Sequence, residues 1–187
     1  MREQNKMLNL IEDKNFLRDE QKNFIEKILL GPDISFFIQD GTVAGAADVN
    51  KWFCHTIIHH PEEREPNAPI FNSNYAEQAL DIFKTFVAKN NIFCKQVFRC
   101  AVNITFNTVG DFCPIHEDHG YEHKQLLIYL NDCVDKKAKT ILYDKDRKKI
   151  LHEIKPEKFK GVCFDSCPHN FYFPKKDIRA VLVYTFI

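Results

Sequence analysis

The chain has 187 residues, 26 of them basic and 26 acidic, so its formal net charge is zero; 44% are hydrophobic and 13% aromatic. That length suits one domain better than two, and roughly 70% of the unfolded surface can be buried, enough for a core without disulfides or a structural metal. Seventeen Phe exclude a disordered or low-complexity chain. The neutral balance removes the electrostatic case for non-specific nucleic-acid or anionic-membrane binding, although a local basic patch is compatible with it.

The first residues, MREQNKMLNLIEDKNF, are polar and carry no apolar leader, and no apolar run approaches the 18 or so residues of a membrane span. LRDEQKNFIEKILL then places Leu17, Phe24, Ile25, Ile28 and Leu29 at helical spacing, and Gly31-Pro32 supplies a stop, so the pattern predicts a helix near 18–30. Residues 39–73 read as a long irregular connection, with Gly41, Gly45 and the prolines of HHPEEREPNAP, and one short strand around Trp52–Ile58. Within it, His55, His59 and His60 read as a surface loop near the mouth of a site. Tyr75, Ala79, Ile82, Phe83, Phe86 and Val87 form a second helical stripe near 75–89, opened by a capping-box pattern of Asn74 and Glu77.

From Gln96 the period changes to two. Phe98, Cys100, Val102, Ile104 and Phe106 alternate with Val97, Arg99, Ala101, Asn103 and Thr105, as on a half-buried strand. LLIYLN (126–131), KTILYD (139–144), KILHEI (149–154), GVCFDS (161–166) and IRAVLVYTFI (178–187) are further β-rich runs between charged or Pro/Gly turns. Helices first and strands afterwards predict an α+β arrangement around an antiparallel sandwich or barrel. The expected organisation is a single domain, 1–187, with 1–95 as helical, loop-rich support and 96–187 as the β core.

Chemistry concentrates in PIHEDHGYEH (114–123). His116 and Asp118 are two apart, so an extended backbone projects both to one side. His169, in DSCPHNF, follows a strand 51 residues beyond Asp118. Two imidazoles and a carboxylate make the facial triad of non-haem Fe(II) oxygenases; taken alone, H-x-D also occurs in solvated turns. Arg179 opens the apolar terminal strand, where a cation is costly unless an anion neutralises it, and Arg grips a carboxylate bidentately. An edge Arg paired with Asp or Glu is the structural alternative.

In this order and spacing the chain, from about Asn15 onward, resembles the Fe(II)/2-oxoglutarate-dependent dioxygenases, specifically the small prolyl-4-hydroxylase-like group of bacteria and tailed phages. NFLRDEQKNFIEKIL resembles the opening helix of that group, FRCAVNITFNTVGDFCPIHED its strand into H-x-D, and KQLLIYLND its aromatic strand. IKPEKFKGVCFDSCPHNF with DIRAVLVYTF resembles the strand into the distal His and the Arg strand. The resemblance implies a double-stranded β-helix (jelly-roll, cupin-like) core with the N-terminal helices packed on one sheet. It implies Fe(II) held by His116, Asp118 and His169, 2-oxoglutarate and O₂ as cosubstrates, and ascorbate as a candidate accessory. Arg179 would bridge the distal carboxylate of 2-oxoglutarate, Tyr129 would hydrogen-bond it or pack in the sheet, and Asn103 and Arg99, on one strand face, would meet cosubstrate or substrate or pair with each other.

The implied reaction hydroxylates an unactivated C–H bond, with a prolyl residue as the default substrate, and releases succinate and CO₂. A peptide, protein or small molecule is the expected substrate, ahead of nucleic acid, with no membrane partner. Two departures from the group stand out. Phe106 occupies a position where prolyl hydroxylases usually have Tyr, and KKAKT lacks the glycines of the usual turn. Asp118, replaced by a small residue in related halogenases, is retained, which points to a hydroxylase. The competing class is a cupin-like metal-binding module without oxidative turnover. Zinc at Cys163, Cys167 and His169 is disfavoured because C-x3-C-x-H has no second half. The seven cysteines, odd in number and without a disulfide spacing, point to reduced thiols and a cytoplasmic location.

Overall fold

The computed structural model describes residues 9–41, 50–59 and 70–187. The first eight residues, Gly45, His60 and the prolines of HHPEEREPNAP lie outside them. Eleven strands and two helices are described: β1 (Leu10–Asp13), α1 (Asp19–Phe24), β2 (Phe37–Asp40), β3 (Lys51–His59), β4 (Ile70–Phe71), α2 (Ala76–Lys89), β5 (Val97–Thr105), β6 (Lys124–Tyr129), β7 (Thr140–Tyr143), β8 (Ile150–Ile154), β9 (Gly161–Asp165), β10 (His169–Phe171) and β11 (Arg179–Phe186). All paired strands are antiparallel. They form a large sheet in the order β1-β9-β6-β11-β5-β3-β2, with β4 also on β3, and a small sheet β10-β7-β8. The architecture is a jelly-roll-like sandwich of antiparallel sheets with the helices on the large one.

The two periodicities place the core. Ala79, Ile82, Phe83 and Phe86 recur at helical spacing on α2, and all are buried against the large sheet. Phe83 meets the rings of Tyr184 and Phe186, with centroids 5.2 and 4.9 Å away, and Tyr184 Oη–H donates to Ala79 O at 2.7 Å. Cys100, Val102, Leu126, Ile128, Leu182 and Tyr184 face this helical layer. Alternate residues of the same strands face the small sheet: Leu127 and Tyr129 on β6, Val181 and Val183 on β11. One sheet thus carries a dry hydrophobic core on one face and a lined interior on the other. Gly161 is set by packing, since a Cβ there would lie 2.5 Å from the Phe86 ring.

The expected helices are present with local differences. α1 runs into a π-helical turn, Ile25–Leu29, which buries Ile25 and Leu29, and a Cβ at Gly31 would lie 2.0 Å from Lys27 O. The Asn74–Glu77 capping box does not form: α2 starts at Ala76, and Ser73 instead accepts from Tyr75 N–H and Ala76 N–H, at 3.3 and 3.2 Å. Four short strands escape the sequence pattern, among them the two-residue β4 on β3. β1 and β2 are edge strands of the large sheet, and β10 carries His169. His55 and His59 lie on β3, so the loop reading is corrected. The β3 register fixes His55 opposite Val102, with its ring between Ser35 O and Ser73 Oγ, each at 2.8 Å. Among the described residues, no helix is long and apolar enough to cross a membrane.

Candidate active site

The two histidines come together through backbone pairing. Segment 112–116 lies against β10, with isolated bridges Phe112↔Tyr172 and His116↔His169. His116 N–H donates to His169 O at 3.0 Å, and His169 N–H returns the bond to His116 O at 2.9 Å. Their rings are 4.5 Å apart. Asp118, two residues past His116, completes the cluster: its Oδ1 is 3.7 Å from His116 Nε2 and its Oδ2 4.0 Å from His169 Nε2. The three ligand atoms lie within 4.8 Å of one another, and no other such group of His, Cys, Asp or Glu occurs among the described residues.

The donor chemistry fits a divalent metal. The Nδ1 atoms of His116 and His169 each lie 2.9 Å from a carbonyl, Pro114 O and Cys167 O. Donation from Nδ1–H leaves both Nε2 lone pairs directed at Asp118, the usual way a protein orients imidazole ligands. Burial pushes the His169 pKa down to about 4, so its ring is neutral at physiological pH. Burial also opposes charge on Asp118 and His116, but the pair outweighs it: Asp118 is held well below the carboxylate range beside His116, His169 and Arg99, and His116 rises to about 10. A metal cation would take the place of that proton.

The triad opens into a cavity of about 100 Å³ between the sheets, also lined by Arg99, Asn103, Gln125, Thr140 and Arg179. At its far end Arg179 is buried, 4% exposed, and makes no ion pair with a described carboxylate. Its Nη2–H donates to Thr140 Oγ1 at 2.7 Å, its guanidinium lies over Phe171 and Tyr129, and its Nε has no partner among the described residues. Leaving a guanidinium buried without a counter-anion is costly, which marks this end for an anionic ligand. Asn103 Oδ1 and Gln125 Oε1 are also buried without partners among the described residues. All three orphaned side-chain atoms belong to residues lining this one cavity.

The structure places the candidate site residues as follows. His116, Asp118 and His169 converge, and Arg179, Asn103 and Arg99 line the same cavity, with Arg99 Nη1 3.8 Å from Asp118 Oδ1. Tyr129 stands behind the lining, its Oη 2.8 Å from Thr140 Oγ1. Phe106 stacks on Phe53 at 5.3 Å. Cys163 and Cys167 pack in different core clusters and form no metal-binding group with His169, and burial pushes both thiols up to about 12. Sequence reasoning missed Gln125, Thr140 and Trp52 as cavity residues. For Gln125 a signal existed: it is the polar member of the β6 face that continues through Leu127 and Tyr129.

No protein-family model matches the sequence, and no curated protein matches it. Its structure is similar to a 2OG-Fe(II) oxygenase family oxidoreductase from Burkholderia pseudomallei, with TM-score 0.71, 16% identity, and coverage of 96% of this chain and 84% of that one. It is also similar to a Trichoplax adhaerens prolyl hydroxylase in complex with a hypoxia inducible factor peptide fragment, with TM-score 0.64, 16% identity, and coverage of 95% and 83%. A Pseudomonas putida prolyl-4-hydroxylase matches with TM-score 0.58, 14% identity, and coverage of 95% and 91%. The chain has the fold shared by 2OG-Fe(II) oxygenases and prolyl hydroxylases, the group its sequence resembles.

Proposed function

We propose that the protein is an Fe(II)- and 2-oxoglutarate-dependent oxygenase that hydroxylates an unactivated C–H bond, built on a double-stranded β-helix core. The observation that carries the reading is one cavity holding both a His-Asp-His cluster and a buried, anion-deficient Arg179. A metal-binding module without turnover would need the first and gain nothing from the second. Iron and 2-oxoglutarate, when bound, supply the oxidation: one oxygen atom of O₂ enters succinate as CO₂ leaves, and the other becomes the hydroxyl of the product.

The chain's own residues position and shield these groups. His116, Asp118 and His169 would hold the cation, three protein ligands that leave coordination positions for cosubstrate and O₂. Arg179, with Thr140 and Tyr129 behind it, grips the distal carboxylate of the cosubstrate, and Asn103 stands on the adjacent strand β5. Leu127, Val181 and Val183 form the apolar wall between the two ends and exclude water from the reacting centre. A cavity of about 100 Å³ suits a small dicarboxylate, and a larger substrate would then reach the metal from the cavity's mouth. The peptide bound to the Trichoplax enzyme supports a peptidyl substrate, prolyl residues first. Seven free cysteines, five of them buried, suit a reducing cytoplasm.

Anaerobic titration of the protein with Fe(II) and 2-oxoglutarate tests the assignment. A visible metal-to-ligand charge-transfer band that requires both components is expected. Stoichiometric metal binding with no such band would favour the binding-module reading.

A further inference from the structure

Asp118 differs from its fellow ligands in its support. His116 and His169 lie on paired backbone, whereas Asp118 sits in the loop before β6. Its carboxylate is held by a side chain from a central strand: Gln125 Nε2–H donates to Asp118 Oδ2. Gln125 is 1% exposed and lies on β6 between β9 and β11, opposite Phe164 and Thr185.

The amide can face only one way. Gln125 Nε2 also lies 3.5 Å from His123 Nε2, and since an amide nitrogen cannot accept, the His123 nitrogen must. The His123 proton is then on Nδ1, 2.8 Å from Tyr121 O, which accepts it. Turning the amide over would set Oε1 against a carboxylate oxygen. Both NH₂ hydrogens are thus committed, one to the ligand and one to a brace, while Oε1 is left buried without a partner among the described residues. A leucine, like the neighbouring Leu126 and Leu127, would avoid that cost, so the position is kept for something other than packing.

We propose that Gln125 is a positioning residue for the metal: it caps Asp118 Oδ2, leaves Oδ1 to face the cation, and is itself kept turned by His123. One-oxygen ligation preserves the open coordination positions that the oxygenase function requires, and the inference rests on that reading.

The test is Mn(II) affinity, measured by calorimetry without turnover, in four proteins: wild type, Gln125→Met, Asp118→Ala and the double variant. Gln125→Met keeps the length and removes the donor, and should weaken Mn(II) binding about 10–100-fold. Asp118→Ala retains two imidazoles, so its residual affinity is followed with Ni(II), and adding Gln125→Met should leave that affinity unchanged because the residue acts through Asp118. Equal Mn(II) affinity of wild type and Gln125→Met, or an equal Ni(II) loss in the Asp118→Ala background, would overturn the proposal. Failure of the wild type to bind Mn(II) would instead overturn the metal-centre reading beneath it. Gln125→Asn, which keeps a buried amide but withdraws it by one methylene, carries the same expectation and the same refutation if Gln125→Met does not fold.

Discussion

The two ends of the cavity are built differently. At the anion end every polar atom comes from a strand: Arg179 from β11, Thr140 from β7 and Tyr129 from β6, linked by hydrogen bonds of 2.7 and 2.8 Å. At the metal end one ligand, Asp118, comes from a loop and must be held from outside by Gln125. The difference suits what each end would recognise under the proposed function. A carboxylate is gripped by a preorganised fork with a fixed outline, whereas three ligands on one face of a metal must arrive from different directions, which two paired strands alone do not supply.

If the ends act separately, damage to each should read out differently. The largest effect is expected from Asp118→Ala: Fe(II)-dependent succinate formation, followed by mass spectrometry, falls to the level of a no-enzyme control, while the metal-free protein stays folded with a midpoint lowered only by the loss of the carboxylate's pairing with His116 and Gln125. Loss of the cooperative melting transition at the assay temperature would make Asp118 a folding residue. Next comes Arg179→Met, which should raise the 2-oxoglutarate concentration needed for half-maximal succinate formation on the order of 10²–10³-fold and leave Mn(II) affinity as it is. Without cosubstrate this variant should melt at the same or a higher temperature, because an unpaired buried guanidinium has been removed. A requirement that stayed unchanged would sink the anion-clamp assignment. The smallest effect belongs to Thr140→Val, isosteric but unable to accept from Arg179 or pair with Tyr129. A rise of about 5–10-fold in the same requirement is expected, corresponding to roughly 1 kcal/mol for the lost hydrogen bonds. An effect equal to that of Arg179→Met would mean that Thr140 itself touches the ligand.

How much of this the sequence disclosed depends on the length of each element. On β5, nine residues give more than four periods of alternation, so the shared inward face of Arg99 and Asn103 is readable from the residue pattern alone. On α2, fourteen residues do the same for the stripe from Ala79 to Phe86. β1, β2 and β10, at three or four residues, are too short for a period to register, and they are strands because of the neighbours that pair with them. The His-Asp-His cluster was legible because H-x-D is local and its third member follows at a recognisable distance. For Gln125 the strand face was readable but its partner was not, because the contact with Asp118 exists only once the loop has carried that residue back beside β6. Thr140 was hidden likewise, in a four-residue strand whose neighbours gave no reason to prefer one face.

The reciprocal pairing of His116 with His169 has a mechanical consequence. Each backbone amide is the other's latch, so the strands cannot separate at that bridge without spreading the two imidazoles as well. Opening of the sheet at that bridge would therefore disperse the candidate ligands, and a cation held between them would in turn tie segment 112–116 to β10.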